Sequence, residues 1–295
     1  MGKSLLWISV FCFLFANCDS SRKAGNSNSG NKKKESVHYH NAPDQERIDS
    51  IKLAKTKSKL SGQYKTGDKF DFRLPNNVKV SMIWVEPGSF VMGSPEDEQE
   101  RNIDREAQHK VTITKGFWLA ETEFTQEQWG KVMGSNPSKN IGLDYPVEQV
   151  SFIDIQAFLR KINGSEGLFR LPTEAEWEFA CRAGTSGPYA GDREEMTWHK
   201  SNSDVKSHPV AQKKPNDWGF YDMHGNILEK CSDWFQEDNT GESIDPKGPP
   251  SGEKIVERGG QFTGRVRHTR AADRQSNLPE NSDFYVGFRL ARSAN

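Results

Sequence analysis

Between residues 184 and 260, Gly, Pro, Asn or Asp interrupts the chain every few residues, and no apolar period is sustained. An irregular stretch of that length inside a compact domain normally argues against the assignment. Any fold for this chain must therefore tolerate long connections without regular structure. Local order is legible on either side of it. Thr125 with Gln128, Ser151 with Asp154 and Thr173 with Glu176 have capping-box spacing, in which a hydroxyl and a side chain three residues on satisfy each other's backbone N–H. They predict helices over 126–133, 152–162 and 174–182. In the second, Ile155, Phe158, Leu159 and Ile162 recur at helical spacing, so one face is apolar. Residues 80–85 and 89–93 read as strands around the turn Pro87-Gly88, and 111–113 and 117–119 as a further pair.

Composition narrows the function classes. Of 295 residues, 40 are Lys or Arg and 41 are Asp or Glu, which opposes a basic nucleic-acid footprint and an acidic disordered chain. Eight Trp and seventeen Phe supply core material. Residues 1–17 read as a leader: Lys3 is followed by an apolar run over 5–15, too short for the roughly 20 residues of a membrane span. The run ends at Ala16-Asn17-Cys18, which resembles a lipobox whose cysteine takes a lipid; ordinary cleavage with Cys18 as a bystander is the alternative. Residues 18–61, rich in Ser, Asn, Lys and Gly, read as a polar tether, and 62–295 as the folded domain. His38 and His40 fall in the tether without further ligands and read as incidental. Cys181 and Cys231 remain beyond it, too few to define a disulfide framework.

The segments Val85-Glu86-Pro87-Gly88-Ser89-Phe90-Val91-Met92-Gly93-Ser94, Glu123-Phe124-Thr125, Pro146-Val147-Glu148-Gln149-Val150-Ser151-Phe152 and Arg170-Leu171-Pro172-Thr173-Glu174-Ala175-Glu176-Trp177-Glu178 occur in that order. They are followed by Pro215-Asn216, Gly219-Phe220-Tyr221-Asp222-Met223-His224-Gly225-Asn226, Arg258-Gly259-Gly260 and Gly287-Phe288-Arg289. In this order they resemble the formylglycine-generating, sulfatase-modifying enzyme family. The resemblance implies an α+β, C-type-lectin-like fold of the formylglycine-generating type, low in regular secondary structure. It also implies that the segment from Asp222 to Glu229 wraps Ca²⁺, with the Asp222 and Glu229 carboxylates and the Gly225 and Ile227 carbonyls as ligands. Leu228 and Lys230 depart from the family's tryptophans there. Cys181 matches a half-cystine position of eukaryotic members whose partner position, near Thr269, holds no cysteine here, which implies a buried free thiol.

The family's oxidase chemistry uses copper on two thiolates in its C-terminal segment, and soft thiolates are what select Cu(I). No cysteine lies between Ser232 and Asn295, so neither copper nor catalysis is expected. His109, His199, His208, His224 and His268 show no ligand spacing for another oxidative metal. A frame that keeps its scaffold without its nucleophiles suits binding. Residues 258–289 resemble the variable region of diversity-generating retroelement proteins, lipoproteins of this fold whose 3′ coding end is rewritten at adenines. The implied variable, ligand-contacting positions are Thr263, Gly264, Arg265, Arg267, His268, Asp273, Ser276, Asn277, Asp283, Phe284 and Tyr285. Mutating the adenines of AAC codons never reaches Lys, Glu, Gln, Met or Trp, and none of these positions holds one. Gln275 and Glu280, of forbidden type, read as scaffold. Arg side chains and aromatic rings are the usual interface anchors; the bland reading is that Phe284 and Tyr285 are core. The expectation is a lipid-anchored envelope protein, on the outer surface, that binds a protein or surface ligand and no nucleic acid. The alternative is a structural envelope lipoprotein of the same superfamily.

Overall fold

The computed structural model describes residues 64–164, 168–237 and 241–294. The leader, the lipidation residue Cys18, the tether and the His38/His40 pair lie outside the described residues. Three helices form where the capping boxes sit: α1 (Gln126–Met133), α2 (Phe152–Asn163) and α3 (Glu174–Arg182). In each, the N-cap hydroxyl accepts the N3 backbone N–H and the N3 side chain accepts the N-cap N–H, which pairs two otherwise orphaned donors. The apolar face of α2 is buried as its period requires. Phe158 packs 4.9 Å from Phe124, 5.3 Å from Trp129 and 5.6 Å from Phe288, ring centre to ring centre. A fourth helix, α4 (Arg193–Met196), is a single turn.

The strands assemble into three sheets. The first, of five strands, orders β1 (Lys69–Leu74), β2 (Val78–Val85), β5 (Phe117–Ala120), β12 (Ala291–Ser293) and β6 (Phe169–Arg170). The second orders β10 (Gln275–Asn277), β9 (Ile255–Arg258), β7 (Leu228–Trp234) and β11 (Val286–Gly287). The third holds β3 (Gly88–Met92), β4 (His109–Ile113) and β8 (Ser243–Ile244).

The strands expected around Pro87-Gly88 are present, but they do not pair with each other. β2 pairs with β1 and β5, whereas β3 pairs with β4. The expected pair β4 and β5 is likewise divided between two sheets. The chain changes sheet at Pro87 and changes back at Gly116, where a Cβ would stand 2.2 Å from the Trp84 ring. The close approach at that crossing excludes any larger residue.

Two buried clusters fill the interior. One centres on Trp84, Trp118, Phe124, Trp129, Phe158 and Phe288; the other on Phe117, Trp177, Phe179, Phe220, Cys231 and Val256. Side chains of this size each contribute roughly 1.5–3 kcal/mol on burial. Cys181 and Cys231 are buried free thiols. The C-terminal strand β12 lies inside the first sheet, between β5 and β6. Because β11 belongs to the second sheet, the short link Phe288-Arg289-Leu290 stitches two sheets together, and all three residues are fully buried.

Candidate functional site

Four arginines of the C-terminal segment determine how it sits. Arg258 ends β9 with its guanidinium fully buried, donating to Glu178 Oε2 and to the carbonyls of Asp273 and Ala271. Its Nε stands 3.6 Å from Glu174 Oε1. Arg270 grips Glu106 with two hydrogen bonds (2.7 and 2.8 Å) and reaches Glu98 Oε1 at 2.5 Å. Arg274 holds both oxygens of Glu174, at 2.6 and 2.8 Å. Arg289 holds both oxygens of Glu229, each at 2.6 Å, and also donates to the Ala120 and Tyr221 carbonyls. A buried charge is tolerated only when paired and hydrogen-bonded, and the planar guanidinium fork matches a carboxylate in two places. The arginines thus tie the segment to α3, β7 and the 98–106 loop. Between Arg258 and Arg270 the chain turns through Gly259 and Gly260, both at positive φ; a Cβ on Gly260 would lie 2.4 Å from the His268 carbonyl oxygen.

The expected contact residues lie between these ties. Arg265 is exposed. Thr263, Gly264, Arg267, His268, Ser276, Asn277, Asp283, Phe284 and Tyr285 are half-buried. Asp273 departs from the expectation of an outward position: only 7 % of it is exposed. Its carboxylate receives Gln275 Nε2 at 3.1 Å, lies 3.4 Å from His268 Nδ1 and 3.8 Å from Arg270, and so is drawn inward by donors. Contacts also link these positions to one another. Arg267 Nε donates to His268 Nε2 at 3.2 Å. Asn277 Nδ2 donates to Asp283 Oδ2 at 3.0 Å, and the Phe284 and Tyr285 rings meet edge-on at 5.1 Å. Phe284 also stands 6.0 Å from buried Phe262, ring centre to ring centre, and carries Lys139 Nζ 4.0 Å from its own ring centre in a cation–π arrangement. Phe284 and Tyr285 are therefore neither core nor fully free. Gln275, expected as scaffold, pairs with Glu257 across β10 and β9.

Some supporting residues carried no local signal. Lys139 comes from a distant loop, which Glu148 holds by accepting the Lys139 and Asn140 N–H groups at 2.6 and 2.9 Å. The Gln149 N–H donates to the Asp283 carbonyl. Lys230 forms a buried 2.6 Å ion pair with Glu257 on the neighbouring strand.

The calcium ligand set fits only in part. Asp222 is buried, with Oδ2 accepting the Ala211 N–H and Oδ1 lacking a hydrogen-bond partner, as a metal ligand would. Glu229 does not fit: both its oxygens hold Arg289, and Oε2 also accepts Trp177 Nε1 at 2.7 Å. Among the described residues, no group of three or more His, Cys, Asp or Glu could hold a metal ion. Burial, together with the charges of Asp222 and Glu229, raises the Glu123 carboxyl well above its usual range.

Cys181 Sγ lies 3.7 Å from His224 Nε2, but this is not an activated thiol. His224 Nε2 accepts the Ala190 N–H and Nδ1 bonds the Thr269 carbonyl, so the ring is neutral with its lone pair engaged. Burial pushes the Cys181 thiol up to about 12. The pair has no nucleophile to offer at neutral pH.

An irregular three-sheet domain whose C-terminal segment is fastened by buried arginines is a C-type-lectin-like domain of the formylglycine-generating type. The chain belongs to the family of sulfatase-modifying factor enzyme 1-like domains, which matches residues 70–294. It is 33% identical over 188 residues to the formylglycine-generating enzyme of Streptomyces coelicolor, covering 56% of this chain and 58% of that one. It is also 33% identical over 169 residues to the Bos taurus enzyme, across 50% of this chain and 44% of that enzyme. The chain thus spans about half the length of these curated relatives. Among solved structures, Treponema denticola variable protein 1 superimposes with a TM-score of 0.69 at 29% identity, covering 76% of this chain and 99% of that one. PvdO from Pseudomonas aeruginosa shares the fold, with a TM-score of 0.66 at 24% identity over 78% of this chain and 99% of its own.

Proposed function

We propose that this protein is a non-catalytic binding member of its family, in which residues 258–289 form a recognition region that a retroelement rewrites at adenines. The observation that carries this reading is the division of labour in that segment. Arg258, Arg270, Arg274 and Arg289 are buried on carboxylates, while all but one of the expected variable side chains keep solvent exposure. Such a division lets contact groups change without disturbing the framework. Arg265, Arg267 and His268 offer donors, and Phe284 and Tyr285 offer aromatic area at low entropic cost. The recognised partner is a protein or other surface molecule. Cys18 is the proposed lipid-bearing residue that holds the domain at the outer face of a bacterial envelope, and residues 18–61 give it reach. The missing C-terminal thiols and the inert Cys181 support absence of formylglycine formation.

The test is genetic and enzymatic. The account expects, near the gene, a reverse transcriptase and a repeat of its 3′ end that differs only at adenines. It expects no conversion of a sulfatase cysteine peptide by the copper-loaded protein. Absence of the repeat would favour a fixed structural role in the envelope, and peptide conversion would restore the oxidase reading.

A further inference from the structure

A cavity of about 400 Å³ opens between the start of α3, β4, β7 and the 243–249 segment, lined by Asp233, Glu174, His109, Ser243, Trp234 and Met92 among others. None of the expected variable positions lines it; of residues 258–289 it is lined by Arg274, one of the framework ties. Its volume is at the small end of ligand pockets, roughly 300–1,000 Å³.

Asp233 is the unusual group there. Only 3 % of it is exposed. Its Oδ2 accepts the Glu174 N–H at 3.1 Å and Ser232 Oγ at 2.9 Å, which ties that oxygen to the start of α3. No described group hydrogen-bonds Oδ1, which leaves it as the oxygen facing the cavity. Ser243 also lines the cavity, and its Oγ is buried without a hydrogen-bond partner. In a side chain that is otherwise buried, this one carboxylate oxygen remains reachable from the cavity without a protein donor, and it is the feature a bound cation would satisfy.

The surrounding charges do not supply that cation. Glu174 is held by Arg274 and lies 3.6 Å from Arg258, and Glu176 is held by Arg170 at 2.6 Å. Arg274 also donates to the Arg105 and Gln236 carbonyls. His109 Nδ1 bonds the Ala107 carbonyl. Lys247 and Glu242 stand exposed on the rim, and neither pairs with Asp233. Apolar groups of Met92, Ala175, Pro246 and Pro249 complete the wall.

We infer that this cavity binds a primary ammonium group on a short apolar stem, with Asp233 Oδ1 and Ser243 Oγ as its acceptors. The stem packs against the apolar wall. Two sources share this chemistry: a free alkyl diamine and the end of a lysine side chain. Burial, and then the charge of Glu174, push the Asp233 carboxyl up to about 7. An alkyl ammonium stays protonated to about pH 10. Binding therefore requires the ionised carboxylate, strengthens as pH rises through 7, and weakens by up to about tenfold per pH unit below it.

Calorimetric titration of the intact chain with 1,5-diaminopentane and with Nα-acetyl-lysine methylamide, at pH 6 and pH 8 and constant ionic strength, tests this, with 1,5-pentanediol as the uncharged control. The expected result is saturable binding of at least one amine with a Kd of about 1 mM or tighter, severalfold weaker at pH 6, and no binding of the diol. Binding of the diamine alone assigns a free small molecule, and binding of the lysine derivative assigns a side chain. D233N keeps an acceptor for the Glu174 N–H, so it should fold, and it should lose binding at least tenfold. Ser243→Ala should weaken it severalfold. No saturable binding by either amine, equal affinity for the diol, or unchanged affinity in folded D233N would overturn the inference without touching the recognition region.

Discussion

At the scale of single residues, the account rests on which side chains of the C-terminal segment carry buried charge. Arg258 is fully buried, and its removal would leave buried Glu178 Oε2 without its donor, with only Oε1 still held by Arg182, and would take a neighbouring positive charge from Glu174. Breaking one partner of such a pair typically costs about 3–5 kcal/mol. Arg258→Met should therefore lose that much in urea unfolding, whereas Arg265→Ala, at an exposed position, should stay within about 0.5 kcal/mol. Asp273→Ala should fall between them, because its carboxylate receives donors from two directions. The same pairs set the acid response. Burial tends to raise the Glu106 carboxyl, but hydrogen bonds from Arg270 and Ser94 and the Arg270 charge outweigh it, and the group sits below its usual 4.5. A carboxyl lowered by folding stabilises fully above its unfolded value, and that contribution disappears as pH falls through the lowered one. Arg270→Met should remove this effect and shift the acid-unfolding midpoint upward, as read by tryptophan fluorescence.

At the scale of elements, the helix starts were legible because their chemistry is local. A hydroxyl and a side chain three residues on must find each other, whatever the rest of the chain does, and Thr125, Ser151 and Thr173 do so. Thr173→Ala should cost about 1 kcal/mol in the same unfolding assay. Strand pairing was not legible. Residues 80–85 and 89–93 look like the two arms of a hairpin, yet they face different sheets, because the partners of β2 and β3 are chosen by long-range packing. β1 alternates polar and apolar residues, and its burial follows that alternation, whereas β7 and β9 left no clear period, since their burial is decided by neighbours far along the chain. The candidate site divides in the same way. The positions between the arginines could be read from the frame. The inward turn of Asp273 and the platform that Lys139 gives Phe284 could not, as each depends on a group brought in from elsewhere.

At the scale of the whole molecule, the arginine ties connect the last segment to parts of the domain that precede it by up to 172 positions. On the proposed function, stability and recognition reside in different side chains of one short stretch, which is the physical condition for changing one without losing the other. The direct measurement is a pair of displayed libraries challenged with protease and sequenced. One varies Thr263, Gly264, Arg265, Arg267, His268, Ser276, Asn277, Asp283, Phe284 and Tyr285 over the residues reachable from AAC codons; the other varies Arg258, Arg270, Arg274 and Arg289. The account predicts that most members of the first library survive with diverse residues, while survivors of the second return to arginine. A first library that collapses onto the residues present here would contradict it.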